Sequence, residues 1–123
     1  MISIDSYGWI ERFTEGPKAG GYNAIIDPAP VREIITATVV LYEVYKRIKQ
    51  VEGEEVALEA VAALSETNVI ALDQTIALEA ADFGLEHRLH MSDALVYATA
   101  RHYNAELYTS DEDLRKLRYV TFV

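Results

Sequence analysis

The chain opens on a short apolar alternation, Ile2-Ser3-Ile4, that closes on an acid at Asp5. This reads as a first strand over Ile2–Asp5, and Ser6 begins a helical spacing that runs to Thr14. Gly16-Pro17 breaks that helix, and Gly20-Gly21 and Asp27-Pro28-Ala29-Pro30 bracket a second, short helical segment. Ile34-Ile35-Thr36 is β-branched and predicts a second strand. A long helix then spans Thr38–Gln50, with Ala37, Val40, Leu41, Val44, Ile48 and Val51 on one apolar face. Gly53 interrupts it before a helix over Glu54–Ser65, which makes the pair a helical hairpin. Asn68–Asp73 is a strand, Gln74 or Thr75 starts a helix to His87, and Ser92–Tyr103 is another helix. Ala94, Ala98 and Ala100 keep that last helix slim enough to lie close on a sheet. Glu106–Thr109 reads as a strand, Asp111–Leu117 as a short helix and Tyr119–Val123 as a final strand. Strands alternate with helices throughout, which predicts an α/β fold with a parallel sheet covered on both faces.

At 123 residues the chain is expected to form a single domain, residues 1–123, with a genuine core. It has no cysteine, which removes disulfides and thiolate zinc sites from consideration. No apolar run approaches the roughly 20 residues of a membrane span, and the N-terminus lacks the pattern of a signal peptide. A cytoplasmic protein without membrane partners is the expectation. The net charge of −9 argues against broad electrostatic gripping of nucleic acid. One basic cluster, Lys46-Arg47-Ile48-Lys49, stands at the end of the predicted long helix, where the helix dipole alone would favour it.

Acids recur where an open parallel sheet places ligands, beyond the carboxyl ends of its strands. Asp5 follows the first strand, Asp111 follows Leu107-Tyr108-Thr109, and Asp93 stands at the start of a helix. Each has an ordinary alternative: Asp5 and Asp111 as helix caps, Asp93 as a first-turn acid favoured by the dipole. Glu43 lies roughly 110° from the centre of its helix's apolar stripe, at the edge of the buried face. Its alternative is an ion pair with Arg47 worth only about 0.2–0.5 kcal/mol. Carboxylates crowded together repel unless a cation neutralises them. Hard divalent ions prefer oxygen ligands, activate water and stabilise charge on a phosphoryl group. A cysteine-free, carboxylate-lined site therefore points to metal-assisted phosphodiester hydrolysis.

Four stretches carry a resemblance: ISIDSYGWIE at the N-terminus, TATVVLYEVYKR around Glu43, LHMSDALVYATA around Asp93 and ELYTSDEDL around Asp111. In this order and at these separations they resemble the PIN domain, and more narrowly the VapC-type toxins of bacterial and archaeal toxin–antitoxin pairs. The resemblance implies a three-layer α/β/α fold with a mainly parallel sheet of about five strands and a protruding helical hairpin. It implies an endoribonuclease dependent on Mg²⁺ or Mn²⁺. Asp5 and Asp93 correspond to the principal metal ligands, with Glu43 and Asp111 completing the quartet. Asp113 corresponds to a supporting acid or to the start of the last helix, and Thr109 to a hydroxyl that orients water or phosphate. With Asp5 cast as ligand, capping passes to the Ser6 hydroxyl, which is also placed beside the substrate. The implied partners are RNA as substrate, a second copy in a homodimer, and a VapB-like antitoxin that blocks the site. The sequence departs from the commoner pattern at Tyr7, where a small polar residue is usual. Core packing is the expectation for Tyr7, with stacking on an RNA base as the alternative.

Rival chemistries fit less well. Glu86-His87-Arg88-Leu89-His90 lacks the H-E-x-x-H order of a zinc hydrolase. A receiver-like domain would need a lysine after a late strand, and none is suitably placed. A catalytically silent PIN-like module serving only for dimerisation or binding is the remaining alternative, and retention of all four acids speaks against it. The hairpin over Thr38–Ser65 is the candidate dimer or antitoxin surface, unless the domain's own core absorbs its apolar residues.

Overall fold

β1 (Ile2–Ile4) occupies the centre of a five-stranded sheet with the order β3-β2-β1-β4-β5. The computed structural model describes residues 1–123. The other strands are β2 (Ile34–Ala37), β3 (Asn68–Ile70), β4 (Glu106–Thr109) and β5 (Val120–Phe122). All four pairings are parallel, with Ile2 opposite both Ile34 and Glu106. The helices are α1 (Ser6–Thr14), α2 (Ala19–Ile26), α3 (Thr38–Glu52), α4 (Glu54–Ser65), α5 (Gln74–His87) and α6 (Met91–His102). A 3₁₀ turn at Val31–Glu33 leads into β2. α1 packs on α2 and α3, α3 on α4, and α5 on α6, so the sheet is the middle of a three-layer α/β/α fold.

The core explains this order of elements. Ile4, Ile34, Ile35 and Leu107 from the strands join Val40, Val44 and Ile48 of α3 and Ala57, Ala60 and Leu64 of α4 in one buried cluster. Each large aliphatic side chain so buried contributes about 1.5–3 kcal/mol. All four residues of β2 are buried, as expected of a strand covered on both faces. The hairpin of α3 and α4 therefore gives its inner faces to the main core, while its tip at residues 51–55 is exposed throughout. Val51, expected on the apolar face, is 49% exposed at that tip. Of the three slim alanines of α6, only Ala100 joins the main core. Ala94 and Ala98 pack with Ile76 and Ala80 of α5 in a small separate cluster.

Gly8 is needed for close approach. A methyl there would stand 2.6 Å from Tyr22 Cδ1 and 2.7 Å from Ile4 Cγ2, and both of those side chains are fully buried. α1 can therefore rest on β1 and α2 only because position 8 has no side chain.

Several boundaries differ from the sequence reading. β1 ends at Ile4, and Asp5 is the N-cap of α1, its Oδ1 accepting from the Ser6 N–H at 2.8 Å. Capping thus stays with Asp5 and does not pass to Ser6. β3 ends at Ile70, and Asp73 instead caps α5 by accepting from the Ile76 N–H at 2.9 Å. Residues Asp111–Leu117 form successive turns and no helix, because the Asp111 carboxylate accepts the Asp113 N–H and closes a local turn. Tyr119 holds a left-handed φ of 62°, so the last strand begins at Val120. No helix is long and apolar enough to cross a membrane.

Candidate functional site

The strand order has one reversal. From β1 the chain adds β2 and β3 on one side, then returns to place β4 and β5 on the other. Ligands of open α/β sheets bind beyond the carboxyl ends of the strands flanking such a reversal. Here that crevice lies past β1 and β4, and Asp5 and Asp111 follow those two strands directly. The Asp5 N–H donates to the Tyr108 carbonyl at 3.0 Å, which continues the β1–β4 pairing one residue past the strand end.

The crevice is a cleft of about 430 Å³. Asp5, Glu43, Asp93 and Asp111, drawn from four separate parts of the chain, all line it. Ser6 and Tyr7 from the start of α1 line it as well. The carboxylates of Asp93, Asp111 and Asp113 approach most closely, with oxygens within 4.8 Å of one another. Asp5 and Glu43 line the same cleft outside that tight group, and Asp113, which starts no helix, is brought into the group by the Asp111 turn.

Thr109 is fully buried behind the acids and faces neither water nor the cleft. Its hydroxyl donates to Asp5 Oδ2 at 2.8 Å and accepts the Asp111 N–H at 3.0 Å. One side chain thereby fixes the acid after β1 to the backbone of the acid after β4. Tyr7, expected in the core, is 44% exposed and donates its hydroxyl to Glu11 Oε1 at 3.2 Å. Its neighbour in the core is Tyr22, against which it packs edge to face. Glu43 has no pairing with Arg47, whose guanidinium donates to Gln50 Oε1 at 3.2 Å instead.

Electrostatics oppose leaving these carboxylates charged and alone. Burial, reinforced by the charge of Asp111 and then of Asp5, pushes the Asp93 carboxyl up to about 7. Burial also raises Asp5, against the opposing hydrogen bonds from Thr109 and the Ser6 N–H. Glu43 is raised by burial while the hydroxyls of Ser6 and Ser92 favour its charged form. A cation in the cleft would relieve all three at once. The donor set is oxygen alone, with no nitrogen or sulfur, and this suits a hard divalent ion.

Three contributors were missed by sequence reasoning. Lys18 lines the cleft and donates its Nζ to the Val123 carbonyl at 2.9 Å. Its backbone N–H donates to Glu11 Oε1, and Glu11, a buried acid, also lies against Gly16 where no Cβ would fit. Ser110 lines the cleft too, bonded to the Tyr22 hydroxyl at 2.7 Å and to the Val123 carbonyl at 3.1 Å. The Gly16-Pro17 break was the one available sign that residue 18 is held in a particular place.

Residues 4–119 match the PIN domain. The chain belongs to the PIN domain family. No curated protein sequence matches this PIN domain. Solved structures share its fold. A chain of a toxin–antitoxin complex from Klebsiella pneumoniae superposes with a TM-score of 0.83 at 24% identity, covering 98% of this chain and 96% of that one. The Sarcin-Ricin loop cleaving toxin VapC20 of Mycobacterium tuberculosis gives a TM-score of 0.77 at 16% identity, with 94% and 92% covered. VapBC2 of Rickettsia felis, bound to a DNA fragment from its promoter, gives 0.74 at 14% identity, with 100% and 98% covered. At these identities the likeness establishes the fold of this PIN domain alone.

Proposed function

We propose that this PIN domain is a metal-dependent endoribonuclease, the toxin of a VapBC-type pair, and that Asp5, Glu43, Asp93 and Asp111 hold Mg²⁺ or Mn²⁺. The observation that carries the reading is the meeting of these four acids in one cleft at the reversal of the strand order. The toxin–antitoxin origin of the structures with this fold supports the biological role.

A bound divalent ion supplies an activated water and offsets charge building on the scissile phosphate. The chain's own residues prepare the site for it. Thr109 and the Ser6 N–H fix both oxygens of Asp5 before any ligand arrives, so little reorganisation remains at the moment of binding. Asp93 sits in the first turn of α6, aligned with the positive end of the helix dipole. The Ser6 and Ser92 hydroxyls favour the charged form of Glu43 against the burial that raises it. Lys18 brings the one cation among the cleft-lining side chains; its ammonium gives one hydrogen to the Val123 carbonyl and keeps others for a phosphate oxygen.

The test is cleavage of single-stranded RNA by antitoxin-free protein with Mg²⁺ or Mn²⁺. Chelation, Asp5→Asn and Asp93→Asn should each reduce the rate by at least about 100-fold, the scale of losing one electrostatic catalytic group. Cleavage that survives chelation or both substitutions overturns the assignment.

The homodimer belongs to the same proposal, with a different surface from the hairpin. An apolar groove of about 660 Å³ runs between α5 and α6, with Leu72, Leu85, Leu89 and Met91 on its walls. Leu85 is 83% and Met91 78% exposed, a concentration of apolar surface that marks an interaction face. Met91 is two residues from Asp93, so a second copy seated there would border the cleft.

A further inference from the structure

Beside the acid cleft lies a second cavity, of about 380 Å³, between α1 and α3. The two share Ser6, Tyr7 and Glu43 as a common wall, so they form one continuous depression. The second cavity has a different chemistry from the first. Its walls carry Tyr7 of α1 and Tyr42 of α3, the latter 61% exposed, together with Lys46 and Arg47. Lys46 lies over the Tyr42 ring at 5.4 Å from its centroid and donates to the Tyr42 hydroxyl at 3.3 Å.

Both cations have neutral hydrogen-bond partners, Lys46 on Tyr42 and Arg47 on Gln50, but neither the helix dipole nor an opposite charge accounts for them. α3 continues to Glu52, so its last turn contains Lys49 but neither Lys46 nor Arg47, and the dipole effect fades beyond the last turn. Lys49 is paired with Glu54, whereas Lys46 and Arg47 form no ion pair with any acid. In a molecule of net charge −9, two unpaired cations flanked by two exposed aromatic rings lie directly beside the acids.

We propose that this cavity is a nucleotide subsite: a base of single-stranded RNA, next to the scissile phosphate, stacks on Tyr42 and Tyr7 while its phosphate meets Lys46 and Arg47. The inference rests on the endoribonuclease reading and adds to it the residues that grip the strand. Single-stranded RNA is held by this combination elsewhere, aromatic faces for splayed bases and Lys or Arg for the backbone. The cavity falls within the roughly 300–1,000 Å³ range of small-ligand sites. Tyr7 thereby acquires a role that core packing does not give it. The subsite also explains how an acidic protein engages a polyanion: attraction is confined to one short stretch beside the metal centre.

The experiment compares initial rates and cut positions on a mixed-sequence single-stranded RNA with Mn²⁺. The proteins are wild type, Tyr42→Ala, Tyr42→Phe and the double variant Lys46→Ala/Arg47→Ala. Tyr42→Ala should raise KM on the order of tenfold and alter the distribution of cut positions. Tyr42→Phe should keep both, because the ring that stacks is retained. The double variant should raise KM several-fold, with the difference shrinking as salt is added. Wild-type cleavage with all variants matching it overturns the subsite and leaves the nuclease reading intact. A wild type that cuts no RNA with either metal ion overturns the nuclease reading and the subsite with it.

Discussion

Burial and the charge of Asp111 hold the Asp93 carboxyl at about 7 in the folded chain, against 3.8 in its ordinary state. Between those values the folded protein binds a proton that the unfolded chain has already lost. Stability of the metal-free protein therefore falls as pH rises from about 4 to about 7, and this contribution is flat outside that window. In chelator at pH 8, Asp93→Asn should be more stable than wild type by on the order of 1 kcal/mol, discounted because the group is only half-buried. That corresponds to a melting temperature higher by about 4 °C. Excess Mn²⁺ should reverse the order, since only wild type gains fully from the ion. Thermal denaturation with and without chelator checks both, and a variant less stable than wild type in chelator would sink the account. At this scale Asp5, Asp93 and Asp111 stood out because each follows a strand or opens a helix at the sheet edge, and Glu43 because it sits at the edge of its helix's apolar stripe. Lys18 and Ser110 were not, since their positions depend on contacts with Glu11, Tyr22 and Val123 that no local pattern records.

α1 owes its seating to the missing side chain at Gly8. Gly8→Ala improves helix propensity by about 1 kcal/mol, yet it drives a methyl into Tyr22 and Ile4, where overpacking costs about 1–3 kcal/mol or more. With the overlap falling on two fully buried side chains, the expected result is a net loss of about 2 kcal/mol or more by urea denaturation, together with reduced RNA cleavage because Tyr22 holds Ser110 at the cleft. A variant as stable and active as wild type would show that α1 has room to shift. Most elements were legible because their apolar spacing is long or bounded by Gly, Pro and Asp. Asp111–Leu117 was misread as a helix because Leu114 and Leu117 mimic helical spacing, while the Asp111 side chain competes for the backbone N–H of Asp113. The hairpin was read correctly as two helices, but only the packed structure shows that Val40, Val44, Ile48 and Leu64 all face the protein's own core.

For the molecule as a whole, parallel pairing followed from the alternation of strands and helices, but the order β3-β2-β1-β4-β5 did not. Nothing local in the sequence states that β4 returns to the open edge of β1, and that return is what makes Asp5 and Asp111 neighbours. The α5–α6 groove likewise joins residues scattered from Leu72 to Leu95, each an ordinary apolar residue by itself. If a second copy covers it, the protein should run in light scattering at twice the 13.8 kDa chain mass, and Leu85→Glu should shift it to a monomer. A wild-type monomer, or a Leu85→Glu dimer, removes that surface from the proposal. The hydroxyl bridge from Thr109 to Asp5 spans 104 positions of sequence. During synthesis at about 5–20 residues per second, Asp5 emerges many seconds before Thr109 and Asp111 do. Throughout that interval β1 lacks one neighbour and the acid cleft lacks a wall. On the proposed nuclease reading, a nascent chain that has not yet added β4 carries no complete site, and fragments from broken or stalled messages that stop short of β4 stay inactive.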